Sequence, residues 1–231
     1  MRSIHSRYGK CWYYGKDEYI GRSIHNYGEF SGEECEKIIE LSSGQCLDIG
    51  ANIGFMSMAL LHAGRRVVAF EPQPELFKLL ELNCPNAICM NFALSNIRGV
   101  GRMPRIRYGS KGNYGGLGLG LKSELGTIDV NMCTLDELGR SPGFIKLDVE
   151  GHELAVLKGG KDTILKYKPV LYIEDDRVEN SIALRKYISN ELGYSTIQEH
   201  NPPMFRKNNF FDKQDNIWGI NYESRNIICL P

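Results

Sequence analysis

One stretch constrains this chain more than any other. It is Leu47-Asp-Ile-Gly-Ala-Asn-Ile-Gly54, followed by Glu71 at the end of a second apolar run, 21 residues after Gly50. A short apolar run that breaks on glycine and opens an apolar helical pattern reads as a strand, a tight turn and a helix. Glycine there lets the backbone approach a ligand closely, and the helix N-terminus favours negative charge. The spacing is G-x-x-x-G, not the dinucleotide G-x-G-x-x-G, because Asn52 takes the middle glycine's place. A pyrophosphate fits that turn less well, which argues against an NAD-dependent oxidoreductase. Asp48, ahead of the first glycine, suits the cationic amino-acid end of S-adenosylmethionine. Glu71 is placed to accept hydrogen bonds from both ribose hydroxyls of a nucleoside. The two elements together, in register with a βαβ unit, favour a nucleoside cofactor.

The rest of the chain repeats the alternation. Strands are expected at 46–49, 66–70, 87–92, 143–149, 170–174, 194–198 and 225–230, and helices at 53–63, 74–83, 153–165 and 181–192. Strands spaced by helices give βαβ units. The predicted fold is therefore α/β, a Rossmann-like sandwich with a mostly parallel seven-stranded sheet. Ser31 with Glu34 reads as a capping box that opens another helix, closed by Ser42-Ser-Gly44. Residues 1–44 are expected to form an N-terminal extension and capping helix. Residues 45–231 would form the main domain, giving one structural domain overall. Residues 96–130 break the rhythm: basic first, then Gly-rich from Gly109 to Gly120. They read as a long insertion, a loop or hairpin, of the kind that is functional or disordered.

Composition sets limits on partners. Lys and Arg total 28, balanced by 28 Asp and Glu, so nothing in the net charge points to nucleic acid. No run reaches membrane-spanning length and the N-terminus lacks the apolar core of a signal peptide. The seven cysteines include no C-x-x-C, and no glycosylation sequon occurs. Free thiols in a reducing compartment, hence a cytoplasmic location, is the expectation.

A second constellation, Lys146-Leu-Asp148-Val-Glu150-Gly-His152-Glu153, follows the predicted fourth strand, at the sheet end where open α/β folds bind ligands. Alternation sends Lys146, Asp148 and Glu150 to one side. Glu174-Asp175-Asp176 ends the next strand. Asp148, Glu174 and Asp175 could converge on a hard divalent cation, Mg or Mn, or form only a solvated acidic turn. Aromatic residues near the C-terminus, Trp218 among them, and Tyr114 in the Gly-rich loop could offer flat surfaces to a sugar ring.

At these residues the sequence resembles the FkbM family of methyltransferases. The matching segments are Leu47–Gly54, Ala69-Phe-Glu-Pro72, Phe92-Ala-Leu-Ser95, Thr134-Leu-Asp136, Ile145–Glu153, Lys158-Gly-Gly160 and Pro169–Glu174. The resemblance implies a class I methyltransferase fold, in which the last strand of the sheet runs antiparallel, S-adenosylmethionine and O-methylation of a sugar or other small hydroxylated molecule. A deoxysugar such as rhamnose within a glycan is one expectation. On that resemblance Asp48, Gly50, Asn52 and Gly54 would line the methionine end, Glu71 and Pro72 would lie at the ribose, and Phe92 and Ala93 against the adenine. Asn113 and Tyr114, with Lys146 and Trp218, would border the acceptor. Glu150 would be the base, Asp148 would orient the hydroxyl or hold a cation, and His152 is the alternative base. Related sugar methyltransferases use Asp where Glu150 stands. Glycosyltransferase partners or fused domains would suit such a role. A noncatalytic S-adenosylmethionine-binding module is the reading from another class.

Overall fold

The computed structural model describes residues 1–219 and 222–231. The chain opens with a hairpin, β1 (Arg2–Ser6) and β2 (Gly9–Tyr13), and two helices, α1 (Ile20–Tyr27) and α2 (Gly32–Leu41). The alternating part follows: β3 (Gln45–Ile49), α3 (Phe55–His62), β4 (Arg66–Phe70), α4 (Pro74–Asn83), β5 (Ile88–Met90) and the short β6 (Ala93–Leu94). A second hairpin, β7 (Gly99–Pro104) and β8 (Thr127–Cys133), leads to β9 (Pro142–Leu147), α5 (Glu153–Gly159) and α6 (Lys161–Tyr167). The chain closes with β10 (Val170–Glu174), α7 (Val178–Asn190), β11 (Thr196–His200) and β12 (Asn226–Leu230).

Seven strands form the main sheet in the order β11-β12-β10-β9-β3-β4-β5. β3 runs parallel to β4 and β9, while β12 lies antiparallel to both β10 and β11. The expected mostly parallel sheet with a reversed last strand is what forms. The strand order reverses between β3 and β9, so their carboxyl ends leave the crevice where such folds bind ligands. Successive residues of each strand feed opposite faces. Cys46, Ala69, Phe144 and Tyr172 pack with α2, α3 and α4, whereas Leu47, Val68, Ile145 and Leu171 pack with α5, α6 and α7. Full burial of a side chain of that size contributes about 1.5–3 kcal/mol, and both faces are covered. The central strands therefore read as continuous apolar runs rather than alternating ones.

Three local readings need correction. Ser31 adopts a left-handed conformation (φ 45°) and its hydroxyl bonds the Glu34 carboxylate at 2.8 Å, so no capping box forms. The helix expected over 153–165 breaks at Gly160. A Cβ on Gly159 would meet the Ser95 carbonyl at 2.0 Å, and one on Gly160 would meet Leu135 at 2.8 Å. Lys158-Gly-Gly160 is thus a point of close packing against the segments that flank the insertion. Glu150 reaches its neighbours through a left-handed turn (φ 57°) beyond the end of β9, not by strand alternation.

The insertion is ordered around β7 and β8, which pair antiparallel and build a second sheet with β6. Its loop folds back over the first sheet's carboxyl edge and is pinned by Asp17, whose carboxylate accepts N–H groups from Tyr19, Gly21 and Tyr114. The N-terminal hairpin is held to α4 by Asn83, which exchanges two hydrogen bonds with the Trp12 backbone at 2.6 and 2.9 Å.

Candidate active site

A cavity of about 620 Å³ opens at the carboxyl ends of β3, β4, β9 and β10. That size suits a small-molecule site. One end is built locally. Gly50 and Ala51 both donate backbone N–H to the Phe70 carbonyl, which ties the turn after β3 to the end of β4. Gly50 (φ 85°) has no room for a side chain, since a Cβ would lie 1.7 Å from the Asp148 carbonyl. Asn52 follows in a left-handed conformation and caps the next peptide with its own side chain, Oδ1 accepting from Ile53 N–H at 2.8 Å.

Glu71 stands opposite. Its two carboxylate oxygens accept N–H groups from Asn52 (2.9 Å) and Gln73 (2.8 Å), leaving further lone pairs for a ligand. Burial pushes its carboxyl up to about 7, against the opposing pull of those two N–H donors. Phe92, Leu94 and Met103 supply an apolar wall beside it.

The deeper part of the cavity is a charge network. Lys146 Nζ lies 3.0 Å from Asp148 and 3.8 Å from Asp48. Burial alone would lower the Lys146 pKa, but the carboxylates of Asp148, Asp48 and Glu34 together hold it above its ordinary value. Lys146 is therefore a fixed cation, not a base. Asp48 is wholly buried, accepts a hydrogen bond from Ser57 at 2.6 Å, and its other oxygen faces Lys146 without a hydrogen bond among the described residues. Glu150 pairs with Arg177 at 2.6 Å. Burial and the neighbouring Asp148 push its carboxyl up to about 7, while Arg177 opposes the shift. Glu174 is raised well above its ordinary value, by burial and then by Asp148 and Glu150, and its Oε2 is enclosed without a hydrogen bond among the described residues. Asp148, Glu150 and Glu174 present oxygens within 4.8 Å of one another.

Most of the residues singled out from the sequence meet here. Gly50, Asn52, Glu71, Pro72, Phe92, Ala93, Asn113, Lys146, Asp148, Glu150, His152 and Glu174 all face the cavity. Five do not. Asp48 lies beneath the floor and acts through Ser57 and Lys146. Gly54 starts α3, where a Cβ would collide with Leu80 and Cys84. Tyr114 is buried against Tyr14 and Tyr108 and donates its hydroxyl to the Ser110 carbonyl, so it shapes the loop instead of touching an acceptor. Asp175 turns away to Arg185 (2.7 Å) and Ser181 (2.8 Å), so the carboxylate trio contains Glu150 in its place. Trp218 stands behind the wall, nearly parallel to Tyr19 (5.7 Å, 22°) and Tyr222 (5.8 Å, 25°), and those two tyrosines are what face the cavity. His152 is bonded to Ser95 at 2.9 Å and its pKa is lowered by burial.

Other residues that line the cavity escaped sequence reasoning. Glu34 was legible only as a helix-opening acid, yet it is buried in the cavity wall facing Lys146. Leu117 and Leu119 lie in the Gly-rich loop that the sequence singles out, whereas Tyr19 and Tyr222–Asn226 carry no motif at all, because they reach the cavity only through the folding-back of separate segments.

A family model, the methyltransferase FkbM domain, matches residues 48–196. The chain belongs to the FkbM methyltransferase family. Among curated proteins, the hexuronic acid methyltransferase AglP of Haloferax volcanii is 32% identical over 121 residues, covering 48% of each chain. The chain thus spans about half the length of that relative. Among solved structures, the FkbM methyltransferase from Methylobacillus flagellatus KT superposes with a TM-score of 0.52 at 17% identity, over 80% of this chain and 43% of that one. The precorrin-6y C5,15-methyltransferase of Geobacter metallireducens GS-15 gives 0.50 at 11% identity, over 87% and 88%. At such identities the structures speak for a shared methyltransferase fold. The FkbM match spans the Gly50 turn, Glu71 and the Lys146–Glu150 network, but neither Glu34 nor Tyr222.

Proposed function

We propose that this protein transfers the methyl group of S-adenosylmethionine to a hydroxyl of a sugar. The observation that carries this reading is one cavity holding both the Gly50–Asn52 turn with Glu71 and, farther along, a Glu150 carboxyl poised near neutrality. FkbM membership and the likeness to a hexuronic acid methyltransferase support the methyl transfer and the sugar.

The residues present fit that cofactor. Glu71 has acceptor capacity left for the ribose hydroxyls, and Phe92, Leu94 and Met103 suit an adenine. When bound, S-adenosylmethionine supplies an electrophilic methyl carbon on a sulfonium. A sugar hydroxyl, with a pKa on the order of that of water, needs a base as it attacks. Glu150 takes that proton: a carboxylate with a pKa near the working pH is both available and basic enough. Asp148, fixed by Lys146, orients the hydroxyl, and the buried Lys146 ammonium stabilises charge that builds on oxygen. His152, engaged with Ser95, supports the turn. Where a divalent cation binds, Asp148, Glu150 and Glu174 would hold it, and it would lower the hydroxyl pKa; Arg177 competes for Glu150. No helix among the described residues is long and apolar enough to cross a membrane. The unpaired cysteines suit a reducing compartment such as the cytoplasm, where glycosyltransferases that build the acceptor would be natural partners.

Calorimetric titration with S-adenosylhomocysteine, with and without Mg²⁺ or Mn²⁺, tests the cofactor. Micromolar binding is expected, and none under any condition would sink the reading. Glu150→Gln should then lower turnover by about 100-fold or more with S-adenosylhomocysteine affinity intact, and His152→Ala by much less. The reverse ranking would move the base to His152.

A further inference from the structure

The cavity is lopsided in charge. Besides Glu71 at the ribose end, six carboxylates line it: Glu34, Asp148, Glu150, Glu174, Asp176 and Glu223. The lining cations are Lys146 and Arg225. Lys146 lies nearest Asp148 and also faces Asp48 and Glu34, and Arg177 answers Glu150 at 2.6 Å and Asp176 at 3.9 Å from behind the wall. Two of the remaining carboxylates have acceptor atoms with nothing to accept. Glu34 is only 6% exposed, and the hydroxyls of Ser31 and Ser224 both bond its Oε2, leaving Oε1 without a hydrogen bond among the described residues. Glu174 Oε2 is enclosed and likewise has no hydrogen bond among the described residues. The same cavity carries the aromatic rings of Tyr19 and Tyr222, backed by Trp218. S-adenosylmethionine brings one net positive charge, its sulfonium, because its ammonium and carboxylate cancel. Even with Lys146, Arg225 and Arg177 counted, the six carboxylates outnumber the cations, and a sulfonium placed toward Gly50 and Glu71 is directed away from this wall.

We infer that the acceptor is an amine-bearing sugar and not a uronic acid, its ammonium received by Glu34, Glu174 and Asp176 beside Tyr19 and Tyr222. This rests on the methyl-transfer reading above. An ammonium gains from carboxylates in a partly desolvated site and from the faces of aromatic rings. A sugar carboxylate in the same place meets like charge, and an uncharged sugar leaves the wall's charge unbalanced. Tyr19, Glu34, Tyr222 and Glu223 all lie outside the family-matched residues 48–196. The substrate of a relative therefore need not carry over to this wall.

The test compares the methyl glycosides of glucosamine, glucose and glucuronic acid with the full chain and saturating S-adenosylmethionine, once in EDTA and once with Mg²⁺. S-adenosylhomocysteine formation reads turnover, and calorimetry reads binding of each glycoside to the S-adenosylhomocysteine complex. The amine should exceed the neutral sugar by about tenfold in binding and in kcat/KM, with the uronic acid last. N-acetylation should erase the gain. Asp176→Asn, at an exposed carboxylate whose one ion pair, with Arg177, is long (3.9 Å), should shrink the amine's advantage, and Glu34→Gln should shrink it more. Equal or better binding of the neutral sugar or the uronic acid, with or without Mg²⁺, overturns the inference. Failure of S-adenosylhomocysteine itself to bind would instead bring down the methyl-transfer reading.

Discussion

The two ends of the cavity are made differently. The cofactor end is built mainly from one short run of chain, β3, its turn, α3 and β4, whose key contacts are backbone hydrogen bonds between neighbouring strands, with Phe92, Leu94 and Met103 added from farther along. The acceptor end gathers Tyr19 and Glu34 from the N-terminal segment, Leu117 and Leu119 from the insertion, and Met204 and Tyr222–Asn226 from the C-terminal segment. Side-chain ion pairs tie those pieces together. Arg206 bonds Glu29 and Glu36 at 2.6 Å each, and Arg7 also bonds Glu29. A site whose chemistry is local and whose selectivity is assembled can keep the first while changing the second.

The largest effect should come from breaking the cofactor end. In Gly50→Ala a methyl group would sit 1.7 Å from the Asp148 carbonyl, at a positive φ that disfavours a side chain. That carbonyl belongs to the turn after β9 and cannot move alone. We expect a loss of about 4 kcal/mol, a fall in melting temperature of roughly 8–16 °C, and no measurable S-adenosylhomocysteine binding. A variant that melts and binds like the parent would show that the turn is less rigid than its hydrogen bonds imply.

Breaking the acceptor end should do less and do something else. Arg206 and Glu29 are both nearly fully buried, at 6% and 4% side-chain exposure. Removing one partner of a buried pair typically costs about 3–5 kcal/mol. Arg7 remains on Glu29, so Arg206→Met should cost about 2 kcal/mol. Its signature should be a raised KM for the acceptor with S-adenosylhomocysteine affinity unchanged, read by kinetics and calorimetry on the same preparation. If cofactor affinity fell in step, the two ends would not be separable.

The same division decides what the sequence discloses. β4, α4 and β10 form over the residues expected of them, because apolar runs and the Pro74 start are local signals. Glu71 was legible because its role follows from its distance along the chain from Gly50. Asp175 was misplaced because strand-end carboxylates alternate in direction, and only the packing of α7, which brings Arg185, decides which one faces the cavity. Glu34 was hidden behind a stronger local pattern, a serine followed three residues later by an acid. Tyr19 and Tyr222 are separated by most of the chain, and no spacing rule joins them.

The smallest predicted effect is a proton count at the cofactor end. The Glu71 carboxyl is raised by burial from the ordinary 4.5 to about 7 in the free protein. Its folded state holds a proton that the unfolded chain has released, so its contribution to stability is full below about 4.5 and is lost as pH rises toward 7. Ribose hydroxyls donate more strongly to the carboxylate than to the acid, so a bound nucleoside should pull that pKa down again. S-adenosylhomocysteine affinity should therefore climb severalfold between about pH 6 and pH 8 and then level off. Near neutrality, binding should release a fraction of a proton, visible as a difference in binding heat between buffers of unlike ionisation enthalpy. Glu71→Gln should bind more weakly and lose the pH dependence. A flat affinity across that range in the parent protein would separate Glu71 from the ribose. Glu150 offers the contrast, because its titration should show in turnover and leave this binding curve where Glu71 sets it.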